Sequence, residues 1–163
     1  MIFGMSVSTF TQIHVALSVV GILTGLIVLA GLLQSRVAGG LTATFLVTTI
    51  LTSATGFLFP VKEVLPSHIV GIISLVALAI AVYALYSRRL AGPWRWIYVA
   101  AAIFALYLNV FVLVVQAFLK VPSLHALAPK GSEPPFVAAQ LVVLVLFIWL
   151  GIRATRSFRP ALA

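Results

Sequence analysis

The chain is built from apolar runs about twenty residues long, separated by short segments that hold nearly all of its charge. A bilayer core roughly 30 Å thick is crossed by about 20 helical residues rising about 1.5 Å each. Backbone groups in hydrocarbon must be paired within their own segment, so runs of this length predict helices. The period-two alternation of a membrane barrel is missing. Five spans are expected, over residues 10–33, 41–59, 66–86, 94–119 and 135–152. Ser8 or Thr9 is the expected cap of the first. Gly39-Gly40 and Pro60 bound the second, and Pro66 and Pro134-Pro135 open the third and fifth. The expected fold is therefore an all-α polytopic membrane helix bundle. Residues 1–163 form a single transmembrane domain in this reading, with no soluble domain or linker.

Composition narrows the chemistry. Only 7% of residues are charged and 63% are hydrophobic, whereas a soluble domain carries about 25% charged residues. Lipid must solvate most of the surface, which excludes a soluble enzyme. Cysteine and aspartate are absent, and Glu63 and Glu133 are the only carboxylates. Thiolate chemistry, aspartate-containing triads and catalytic carboxylate pairs are excluded on that ground. Glycine-rich phosphate loops, HExxH and GxSxG are missing as well, and no independent catalytic activity is expected. The N-terminal run lacks a basic leader and is too long for a signal-peptide core, so it reads as a retained first span.

The net charge of +8 reports topology and does not point to a nucleic-acid partner. Arg36, Arg88, Arg89, Arg95, Arg153, Arg156 and Arg159 all fall on one side of a five-span bundle. Lys62, Lys120, Lys130 and both glutamates fall on the other. The positive-inside rule then puts the N-terminus outside and the C-terminus in the cytoplasm, with Trp94 and Trp96 at the interface beside Arg95.

Polar side chains within apolar spans carry the functional information, because each costs free energy unless paired or hydrated. His14, His68 and His125 all fall toward the outer side. His14 and His68, on helices running in the same direction, are candidate axial ligands of a b-type haem. Lys62 and Lys120 would face its propionates, and Gly21 and Gly71 would make room for the ring. A mononuclear Zn or Cu site from His14, His68 and His125, with Glu63 or Glu133, is a second version. The plainer alternative is that each imidazole hydrogen-bonds a neighbouring helix. Gln116 and Gln140 lie at similar depth, Asn109 sits two turns below Gln116 on the same face, and Gln12 stands at the outer edge of the first span; all four are candidate walls of a cavity open to the outside. Such a cavity suits a quinone head group or a small solute; the alternative is that these amides knit helices together. Thr44, Thr48, Thr52 and Thr55, with Thr42, Thr49, Ser53 and Gly56 on the adjoining face and Ser18, Gly21 and Gly25 on the first span, predict close packing of the first two spans; the alternative is a hydroxyl-lined water or ion path.

The segments Thr55-Gly56-Phe57-Leu58-Phe59-Pro60, Leu65-Pro66-Ser67-His68-Ile69-Val70-Gly71 and Ser132-Glu133-Pro134-Pro135-Phe136 resemble those of small multi-pass bacterial membrane proteins of unknown function. The resemblance implies a bacterial inner membrane and no particular activity. The expected function is an integral membrane binding or redox module with a periplasm-facing polar site. A non-catalytic subunit of a larger membrane complex and a small-solute permease or channel are the alternatives. Expected partners are the lipid bilayer and either another membrane protein or further copies of the chain.

Overall fold

A computed structural model describes residues 2–60 and 66–159. Every named element among them is helical: α1 Val7–Leu33, α2 Gly39–Gly56, α3 Pro66–Val82, α4 Trp94–Lys120, α5 Pro122–Leu127 and α6 Pro134–Ser157, with a π-helical turn Tyr83–Ser87 ending α3. Four of these, namely α1, α3 with its π turn, α4 and α6, are long and apolar enough to cross a membrane. α2 has 18 residues, but its six threonines, one serine and three glycines dilute its apolar character.

Several boundaries differ from the sequence reading. Ser6, not Ser8 or Thr9, caps α1, its Oγ accepting from the Thr9 N–H at 3.1 Å. α2 stops at Gly56, three residues short of the expected end. α6 runs beyond residue 152 to Ser157, because Arg153 and Arg156 are good helix formers whose long side chains reach out of the apolar layer. The connection after α4 holds the short helix α5, which Pro122 opens at its first turn.

α4 is the hub of the bundle. It packs against α1, α3 and α6, and more lightly against α2, while α1 and α2 share the most extensive interface. Lipid tails are as apolar as leucine, so close approach of backbones and dispersion contacts hold such helices together. α3 packs on α4, and Ala77 and Ala81 of the one and Ala102 and Ala105 of the other are nearly fully buried in the shared core. α1 meets its neighbours at Gly25, where a Cβ would stand 2.6 Å from Leu106 Cδ1 and 2.9 Å from the Phe45 ring. The buried core gathers toward the end bearing the arginines: Val28, Leu29, Leu32, Leu46, Leu78, Tyr98, Val99 and Phe158 all belong to it.

That end is also stitched by polar contacts. Ser35, in the left-handed region at φ 59°, donates from Oγ to the Ser157 carbonyl at 2.7 Å and accepts from the Arg159 N–H at 3.0 Å. Trp94 sits edge-on to Tyr83, with the Arg88 guanidinium 5.4 Å from its ring centre.

Candidate functional site

At the opposite end the helices part around a polar cavity of about 100 Å³, lined by α1, α2, α3 and α4. α1 supplies His14 and Ser18, one turn apart. α2 supplies Thr52, Ser53 and Gly56, α3 supplies Ser67, Gly71 and Ser74, and α4 supplies Asn109. Ser67, Gly71 and Ser74 share a helix face because steps of four and three residues bring the chain round by about one turn.

Most of these groups are paired across helices. Ser18 donates to Asn109 Oδ1 at 3.0 Å, and Ser53 donates to Ser74 Oγ at 3.0 Å. His14 Nδ1 lies 2.8 Å from Thr55 Oγ1, and its ring stands perpendicular to Phe59 at 5.2 Å. The Thr55 hydroxyl already donates to the Leu51 carbonyl at 2.6 Å, so His14 Nδ1 carries the proton of this bond and Nε2 is the acceptor. Asn109 is 8% exposed and its Nδ2 has no partner. Whichever way that amide is turned, Ser18 satisfies one of its ends and the other is left over.

The leftover end points at Gly21. A Cβ on Gly21 would lie 3.3 Å from Asn109 Nδ2, 3.0 Å from Thr49 Oγ1 and 3.2 Å from Thr48 Oγ1. Thr49 Oγ1 is itself buried without a partner. A buried unsatisfied polar atom costs roughly 1–3 kcal/mol, and of these two only Asn109 borders the cavity.

The cavity takes in some of the residues expected at this site. His14 and Asn109 line the cavity; His68 is not among its lining residues. The His68 ring is half-buried and stacks on Phe57 at 5.5 Å and 19°. The His14 ring thus meets Phe59 and the His68 ring meets Phe57. Gln12 and Gln116 are exposed. Gln140 donates from Nε2 to the Phe111 carbonyl at 3.2 Å, tying α6 to α4, and its buried Oε1 is unpartnered. His125 is exposed on α5. Among the described residues no group of three or more His or carboxylate side chains could hold a metal ion, so the three-histidine set is not brought together. Lys62 and Glu63 lie outside the described residues.

The donors present do not fit a porphyrin. The cavity is well below the roughly 300–1,000 Å³ of ordinary small-molecule sites. The space beside Gly71 is filled by the Phe57 ring, 3.0 Å from where a Cβ would stand, and that beside Gly21 by hydroxyls and an amide. In the sequence reading Ser53 belongs to the packing face of the second span, and Ser67 and Ser74 are not singled out for the site. The signal available was the alternation of Ser and Gly at positions 67, 71 and 74 on an otherwise aliphatic helix.

The fold defines a helical bundle of membrane-spanning type with a small polar cavity at one end. Compared with protein-family models, curated proteins and solved structures, the chain matches none.

Proposed function

We propose that this chain is an integral membrane binding module that holds a small hydrogen-bonding solute in the cavity beneath His14. In this reading α2 is a fifth span, the arginine end faces the cytoplasm and the cavity opens to the periplasm of a bacterial inner membrane. The asymmetry of seven arginines against three lysines and two glutamates supports that orientation. The observation that carries the reading is Asn109 Nδ2, a buried amide end without a hydrogen-bond partner on the wall of that cavity. Water has a share of about 30 Å³ in the liquid, so about 100 Å³ takes a few waters or one solute the size of urea or glycerol.

The absence of cysteine makes the test direct. Ser67→Cys and Ser53→Cys should react with a small charged thiosulfonate added outside intact cells, and Val47→Cys, on an exposed apolar face, should not. Saturating urea or glycerol should slow the reaction at position 53. Unreactive thiols at both positions would end the reading, and labelling of Arg88→Cys from outside would reverse the orientation.

One observation favours passage of the solute. Thr42 Oγ1 and the Tyr98 hydroxyl, nearer the arginine end, are also buried and face one another. The layer of Gly25, Phe45 and Leu106 lies between them and Asn109, so two polar points are divided by an apolar plug. Thinning the plug with Leu106→Ala should raise urea or glycerol flux into liposomes. Flux equal to that of protein-free vesicles would leave binding without passage.

A further inference from the structure

The face of α4 that carries Ala100 and Phe104 is flanked by two apolar grooves of nearly equal size. One, about 490 Å³, runs between α3 and α4 past Ile72, Ile80 and Trp96, and no charged residue lines it. The other, about 510 Å³, runs between α4 and α6 past Phe104, Tyr107, Ile148 and Ile152, and ends at Arg156. Its α6 wall extends from Leu144 to Arg156, and twelve residues at about 1.5 Å make roughly 18 Å. Half of a hydrocarbon core roughly 30 Å thick is about 15 Å. The groove is therefore one leaflet deep, with a cation at the level of the headgroups.

Among the described residues Arg156 has no ion-pair partner, and Glu133 lies at the other end of α6, about 35 Å away by helix length. Its neighbour Arg153 is turned to the Trp149 ring, 5.1 Å from the centroid, and the Thr155 hydroxyl donates to the Gly151 carbonyl. Arg156 is left as the one charged group lining the groove. Its guanidinium matches a phosphate with paired N–H donors.

We propose that the α4–α6 groove is a binding site for an anionic phospholipid, one acyl chain lying along Ile148 and Ile152 and the phosphate seated on Arg156. This site is independent of the polar cavity. A zwitterionic lipid fills the same groove but brings its own cation to the arginine, so the selectivity is for net negative headgroups.

Native mass spectrometry of the full chain in detergent, titrated with phosphatidylglycerol and with phosphatidylcholine of the same acyl length, tests this. The first phosphatidylglycerol should bind about fivefold more tightly than the first phosphatidylcholine, the effect of one arginine near an anionic surface. Arg156→Gln should abolish that preference, while Arg89→Gln keeps it. Gly151→Leu should weaken the first event for both lipids by filling the groove; a Cβ there meets only Ile103 Cγ2, at 3.8 Å, so the fold tolerates it. Equal affinities in the native chain, or a preference that survives Arg156→Gln, would overturn the site. A second copy of the chain that Gly151→Leu displaces would assign the groove to a dimer instead.

Discussion

The two halves of this bundle are made from the same kinds of helix and put them to different uses. Toward the arginine end the helices close on Leu32, Phe45, Leu78, Tyr98 and Leu106, each almost fully buried. Toward the histidine end the same helices separate around hydroxyls, an amide and an imidazole. The dividing layer is Gly25 with Phe45 and Leu106. One half is closely packed and the other encloses a small polar cavity, and the packing of the first can support the opening of the second.

Substitutions should rank accordingly when unfolding is followed by denaturant titration in mixed micelles. Gly25→Val should be the most damaging. A Cβ alone would already stand 2.6 Å from Leu106 Cδ1, so a branched side chain forces α1 away at about 3 kcal/mol or more. Leu106→Ala should cost about 2 kcal/mol, at the low end for core leucines, since the surrounding lipid is as apolar as the core and mainly the cavity remains. In the open half, Ser18→Ala removes one interhelical hydrogen bond and should cost about 0.6 kcal/mol. A Ser18→Ala loss as large as that of Leu106→Ala would break the division into two halves.

The smallest effect lies outside the apolar layer. Partial desolvation raises the Glu133 pKa, but N–H groups of Lys130 and Ser132 donate to its carboxylate and hold it below the ordinary value. A lowered folded-state pKa contributes stability above the unfolded value, and that contribution is lost as pH falls through the folded one. Thermal melting from neutral to acid pH should show a shallow decline that Glu133→Gln flattens. A decline unchanged by that variant would assign the acid sensitivity elsewhere.

Much of this architecture was legible in the sequence. Apolar run length located α1, α3, α4 and α6, and the small residues of the first two helices foretold their close packing. Hydropathy is silent on where a helix ends once its side chains can reach water, so α6 outran its expected boundary by way of Arg153 and Arg156. For the site, sequence supplied depth and withheld azimuth. Asn109 and Gln116 are seven residues apart and were expected on one face. Asn109 is nonetheless enclosed by α1 while Gln116 is exposed, since the helices around α4 no longer cover that turn. His14 and His68 share a level but meet different residues of the α2 exit.

The contacts of Ser35 with Ser157 and Arg159 have a consequence for how the protein comes to exist. They join segments more than a hundred residues apart, so the loop after α1 waits through the making of every later helix. Helices inserted one by one by the translocation machinery can pair early as α1 with α2 and α3 with α4. The clasp forms only when α6 has been released. Until then the loop after α1 is held by its own turn alone, and this nearly unburied last helix completes the assembly.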